Sequence, residues 1–161
     1  MQPLTLSRED AILIYKSADE TGKKILEDKF GTLYFKQTSA IEEFKDFCNE
    51  AGITQPDQYI IFPNPTNGDQ KSINAYSMLI QIYRHYNKGE KRDWTNGRQK
   101  KYYAWYNLSD PSGFGLSFDG CDYGNAGASV ASRLTSLNSG DPQMVLEKYP
   151  NIVSDYIVEK D

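Results

Sequence analysis

The chain has 161 residues, 39% of them apolar and 13% aromatic, with a formal net charge of −4. That composition belongs to a folded protein rather than a disordered one. The absence of any run of about 18 apolar residues argues against a membrane-spanning helix.

A capping-box-like start at Ser7 with Asp10 precedes Ala11, Ile14, Tyr15 and Ala18 at helical spacing. A second helix is expected over Glu20–Phe30, with Gly31 as its stop. Thr32, Leu33, Tyr34 and Phe35 are short and β-prone. Ser39 with Glu42 makes a clearer capping box. Ile41, Phe44, Phe47, Cys48 and Ala51 then form one apolar face, and Gly52 closes the helix. Residues 55–70 carry Pro56, Pro63, Pro65 and Asn67-Gly68, so they read as a loop. The apolar run Tyr59-Ile60-Ile61-Phe62 within it is a short strand or a core anchor. A long central helix is predicted over 71–87 from Ile73, Tyr76, Leu79, Ile80 and Tyr83.

The pattern changes after Gly89. Residues 101–108 predict a strand, 109–113 a turn and 114–118 a second, half-buried strand followed by an Asp119-Gly120 turn. A further strand is expected over 129–137. Asp141 as N-cap with Pro142 opens a last helical stretch, and Pro150 should break it. The expected fold is therefore α+β: a helical N-terminal half, then an antiparallel meander or small sheet, then a C-terminal helix. One domain over 1–161 is expected, helical to residue 89 and β-rich with a C-terminal helix from 90.

Chemical signatures are sparse. His85, the sole histidine, sits near the end of the long helix, where a cation is favourable in any protein. Cys48 and Cys121 are too few for a disulfide framework, and with one histidine they do not make a zinc site. Asp119, Asp122 and Asn125 lack the spacing of an EF-hand loop. Phosphate-loop, dinucleotide and nucleophile-elbow motifs are absent. No catalytic residue, metal or cofactor is assigned. The first ten residues lack the basic and apolar regions of a secretory signal, so a cytoplasmic setting is expected, with virion association as a further option.

Charge is uneven along the chain. Residues 84–101 hold 7 basic residues against 2 acidic ones, while 1–70 hold 7 against 12. Within and just after that basic segment, cations alternate with rings: Arg92, Trp94, Arg98, Lys100, Lys101, Tyr102 and Trp105 are the candidate binding residues. Cations neutralise phosphates and aromatic faces stack on bases or sugars, or anchor a protein partner. The competing reading puts the rings in the core and leaves the cations as solubilising charges.

Asp93-Trp94-Thr95-Asn96, Lys100-Lys101-Tyr102-Tyr103-Ala104-Trp105-Tyr106, Ser112-Gly113-Phe114-Gly115 and Ser132-Arg133-Leu134 follow one another here. In that order they resemble small uncharacterised proteins of gut Bacteroidales genomes and their phages or prophages. The chain departs from that pattern after Leu134, where Thr135-Ser136-Leu137-Asn138 intervenes. The resemblance implies a mobile-element setting and no mechanism. The expected function is that of a non-enzymatic binding protein whose aromatic and basic face meets a host or phage protein, in a way that interferes with a host process. A nucleic acid bound through residues 84–101 is the alternative partner. A carbohydrate-binding module and a carboxylate-dependent enzyme are the other two readings.

Overall fold

Ser39 and Glu42 cap each other reciprocally: Glu42 N–H donates to Ser39 Oγ (3.2 Å), and Ser39 N–H donates to Glu42 Oε2 (2.8 Å). This local device starts one of the helices in the structure, a computed structural model that describes residues 14–30, 39–108, 116–125 and 133–158. The described elements are α1 (Glu20–Phe30), α2 (Ala40–Ala51), a 3₁₀ turn (Pro56–Tyr59), α3 (Gly68–Tyr86), β1 (Lys101–Asn107), β2 (Ser117–Gly124), α4 (Asp141–Lys148) and α5 (Pro150–Ile157). Helices precede and follow a two-stranded antiparallel sheet, which is an α+β arrangement. None of the described helices is long and apolar enough to cross a membrane.

The apolar faces meet where their spacing directs them. Phe44, Phe47 and Cys48 of α2, Ala75, Met78 and Ile82 of α3, Val145 of α4, and Ile152 and Val153 of α5 are essentially inaccessible. Phe47 packs edge-on against Tyr149, with centroids 5.6 Å apart. Gly52 ends α2 in the left-handed conformation, φ +72°, and Ile53 N–H closes onto the Cys48 carbonyl at 2.8 Å. The Tyr59–Phe62 run is an anchor rather than a strand. Ile60 is buried, and Asn74 of α3 holds the Phe62 backbone with two hydrogen bonds of 2.9 and 2.7 Å.

Three boundaries differ from expectation. Helix α3 begins at Gly68, because the Asn67 side chain accepts from Gln70 N–H at 2.9 Å; its polar first turn carries no apolar periodicity to signal it. Strand β2 runs from Ser117 to Gly124, so Asp119-Gly120 is not a hairpin turn but part of the strand. The register passes from Trp105↔Gly120 to Tyr106↔Phe118, which leaves Asp119 as the extra residue of a bulge. Gly120 does not adopt the positive φ that a primed turn needs. The strand expected over 129–137 reduces, among its described residues, to one antiparallel bridge between Ser136 and Tyr102. The Ser7 cap, the β-prone residues 32–35 and the turn at 109–113 lie outside the described residues.

At the C-terminal end, Pro150 separates two helices as expected, because the residue before a proline is steered out of the helical region; Tyr149 has φ −128° and ψ 53°. Asp141 is not the N-cap of α4. That position belongs to Gly140, and the Asp141 carboxylate instead accepts from Ser136 Oγ (2.5 Å) and Asn138 Nδ2 (3.1 Å). Helix α5 has no cap from its own segment. Glu43 of α2 supplies one: its carboxylate accepts from Asn151 N–H (3.0 Å), Asn151 Nδ2 (2.6 Å) and Ile152 N–H (3.1 Å). This carboxylate is buried, and the N–H groups at the helix start, which have no intrahelical acceptor, are the compensation it needs.

Candidate functional site

Strand β1 is attached to the helices at its beginning. Tyr102 and Ser136 exchange backbone hydrogen bonds of 2.7 and 2.8 Å. Ser136 is in turn held by Asn87 at the end of α3: Asn87 Nδ2 donates to the Thr135 carbonyl at 3.0 Å, and Leu137 N–H donates to Asn87 Oδ1 at 2.8 Å. Buried Asn87 and Ser136 therefore fasten the hairpin to the helical layer through satisfied polar groups.

Beyond Tyr102 the strand parts from that segment, and a cleft of about 260 Å³ opens. Tyr103 and Trp105 from one face of β1 and Ala104 and Tyr106 from the other all line it, with Leu108 beyond them. Residues of opposite faces can share one cleft only at the strand's edge. No β2 residue is among those lining the cleft, so the edge is the one facing away from β2. Leu79 and Tyr83 of α3, Leu134, and Tyr156 and Ile157 of α5 form the opposite wall. Trp105 is 52% exposed and Leu108 55%. Tyr103 meets the indole at 6.0 Å between centroids in an edge arrangement.

The floor carries the main polar feature. Tyr83 and Tyr106 meet there, and burial pushes the Tyr106 hydroxyl up to about 12. Burial, followed by the Tyr106 contact, raises Tyr83 well above the usual tyrosine value. Both groups stay neutral at physiological pH. No carboxylate lines the cleft among the described residues, so it offers apolar contact and hydroxyl hydrogen bonding rather than proton transfer between paired acids.

The seven residues singled out by sequence occupy four kinds of position. Trp105 lines the cleft. Arg98 and Lys100 are exposed before the strand, and Lys100 Nζ lies 4.2 Å from the Tyr123 ring centroid. Tyr102 is half-buried, edge-on to Tyr123 at 5.8 Å. The other three face inward to varying degrees. Lys101 has no exposed surface; its ammonium donates to the carbonyls of Asn96 (3.1 Å) and Asn125 (2.6 Å) and sits 5.2 Å from the ring of half-buried Trp94. Arg92 is half-buried and donates from Nη1 to the carbonyls of Arg133 (3.1 Å) and Thr135 (2.7 Å). Desolvation, then the Arg84 and Arg133 charges, lower its pKa.

The loop 93–99 closes on itself. Asp93 N–H donates to Gln99 Oε1 at 2.7 Å, and Thr95 donates to Asp93 Oδ1 from both its hydroxyl (2.6 Å) and its N–H (2.9 Å). Those Thr95 bonds hold the Asp93 carboxyl below its ordinary value. The exposed cations Arg98 and Lys100 are thus set apart from the exposed indole of Trp105. Five residue steps at extended-strand rise, about 17 Å, separate Lys100 from Trp105.

Sequence reasoning did not identify Leu79, Tyr83, Leu108, Leu134, Tyr156 and Ile157 as site residues. The two positions on α3 and the two on α5 read as core-facing helical spacing, and no local signal joins these four segments. Both cysteines are free, Cys48 buried and Cys121 exposed. Among the described residues no group of three histidine, cysteine or acidic side chains is placed to hold a metal. The chain matches no protein family, no curated protein and no solved structure.

Proposed function

We propose that this protein acts by binding another protein, and that the contact is the cleft along the open edge of β1. The carrying observation is the coincidence of an apolar cleft, a half-exposed indole and a strand edge paired, among the described residues, only through Ser136. On β1, the backbone groups of Tyr102 point toward Ser136, so by alternation those of Ala104 and Tyr106 point the same way. An extended partner segment added there continues the ladder that Ser136 begins and places an apolar side chain against Trp105, Leu108 and Tyr156. The cleft volume falls short of the roughly 300–1,000 Å³ of drug-sized ligand sites, which favours a side chain over a cofactor. The resemblance to proteins of Bacteroidales phages and prophages supplies the setting: a host protein as partner, occupied to the host's cost.

The test compares capture from host lysate by the native protein and by a Trp105→Asp/Leu108→Asp variant, both shown to fold by circular dichroism. A protein retained by the native form and lost by the variant is expected. Equal recovery by both forms, or recovery that disappears on nuclease treatment, refutes the reading. The half-exposed Trp105 also meets the requirement of a carbohydrate-stacking surface. A glycan array separates the two: binding abolished by Trp105→Ala and unaffected by Leu108→Asp supports the sugar.

A further inference from the structure

Away from the cleft, Arg84, Arg92 and Arg133 come from three segments and converge on one corner of the fold. Arg92 reaches across to the backbone of Arg133 and Thr135. Asn87 donates to the same Thr135 carbonyl, and Arg84 lies three residues before Asn87, hence on the same side of α3. Arg84 and Arg133 are exposed. Arg84 bonds only to Gln81 of its own helix among the described residues, at 3.0 Å. The ion pairs among the described residues are Lys23–Glu20 and Lys45–Asp57, so no carboxylate neutralises any of the three arginines there. Their mutual repulsion registers in the lowered Arg92 pKa, after the effect of burial.

A guanidinium does not shed its proton near neutral pH, so like charges gathered this way favour a bound anion beyond what solvent and salt already screen. Arg92 donates from Nη1 to both carbonyls, and its Nη2 and Nε donors have no hydrogen-bond partner among the described residues. Arg84 also lines an open basin of about 610 Å³ with Lys88, which extends the positive surface on one side.

We propose that Arg84, Arg92 and Arg133 form a phosphate-binding site, in which planar N–H pairs close on phosphate oxygens from three directions. Arg92, fixed by its two carbonyls, is the preorganised member, and Arg84 and Arg133 close from the surface. Free phosphates and the phosphodiester backbone of a nucleic acid present the same oxygen pairs. The site is separate from the β1 cleft and does not depend on a partner binding there.

The experiment uses the full chain at constant ionic strength, with native protein beside an Arg84→Gln/Arg133→Gln variant whose changes are both at the surface. One arm titrates pyrophosphate, read by thermal unfolding and by ³¹P linewidth. The other titrates a single-stranded oligonucleotide of about 12 nucleotides over a salt series, read by anisotropy. Saturable stabilisation and line broadening are expected for the native protein, with an apparent Kd at least about ten-fold weaker in the variant, since each lost charged contact is worth more than a neutral one. If the backbone is the source, the oligonucleotide arm responds, and the variant flattens the salt slope by about 1.4, or 0.7 for each lost contact. Equal responses of native and variant protein, or no response of the native protein in either arm, overturn the proposal. Trp105→Ala leaves the pyrophosphate response intact, so failure at the cleft and failure at the arginines are distinguishable.

Discussion

Replacing Glu43 by glutamine tests the most unusual contact in the helical layer, a cap supplied to α5 by a residue more than 100 positions earlier in the chain. Three N–H groups donate to the carboxylate. Hydrogen bonds to a charged group contribute about 1.5–3 kcal/mol each and neutral ones about 0.5–1.5, so removing the charge costs about 1 kcal/mol per bond. The three bonds together come to about 3 kcal/mol, and the NH₂ that glutamine turns toward one of those donors adds to it. For a chain of this size that lowers Tm by about 6–12 °C. The assay is calorimetric or dichroic melting at pH 7. Glu42→Gln on the exposed side of the same helix serves as the control and should shift Tm less. A Glu43→Gln shift no larger than that of the control refutes the tertiary cap.

Other expectations follow from burial. Tyr106 keeps its proton to about 12, while the same tyrosine in the unfolded chain ionises near its ordinary value of 10. Its contribution to stability is therefore complete below pH 10 and lost as pH rises toward 12, by about 3 kcal/mol for a two-unit shift. Tyr106→Phe should flatten that alkaline slope in denaturant melts, and an unchanged slope contradicts the burial argument. With a thiol reagent at pH 8, exposed Cys121 should react in the folded protein, slowed by the burial that pushes its pKa up, and Cys48 only on unfolding, since burial both raises its pKa and blocks access to it. Two thiols reacting together in the folded protein refute that assignment. Lys101→Met removes the donor to the Asn96 and Asn125 carbonyls and should cost about 1–3 kcal/mol in urea unfolding. A neutral result means that water replaces the ammonium.

Much of the backbone was legible because its signals are local. The Ser39–Glu42 cap, the Gly52 stop, the Pro150 break and the β-prone 101–107 run each involve neighbours a few residues apart, and each stands where the sequence puts it. Asp119-Gly120 misled because a turn dipeptide also suits a bulge, and only the partner strand decides which one forms. Lys101 and Arg92 read as free cations because a carbonyl acceptor leaves no trace in sequence; every residue has one.

What the amino-acid order determined alone is the α+β class, the α2 boundaries and the residues of its apolar faces, all products of short-range periodicity and capping. Tertiary structure decided the rest. It caps α5 with Glu43, draws Arg84, Arg92 and Arg133 to one corner, and opens the cleft where β1 parts from Ser136. The physical reason is that helix and strand propensities act over a few residues, whereas a buried charge or a cleft wall depends on which distant backbone groups arrive beside it.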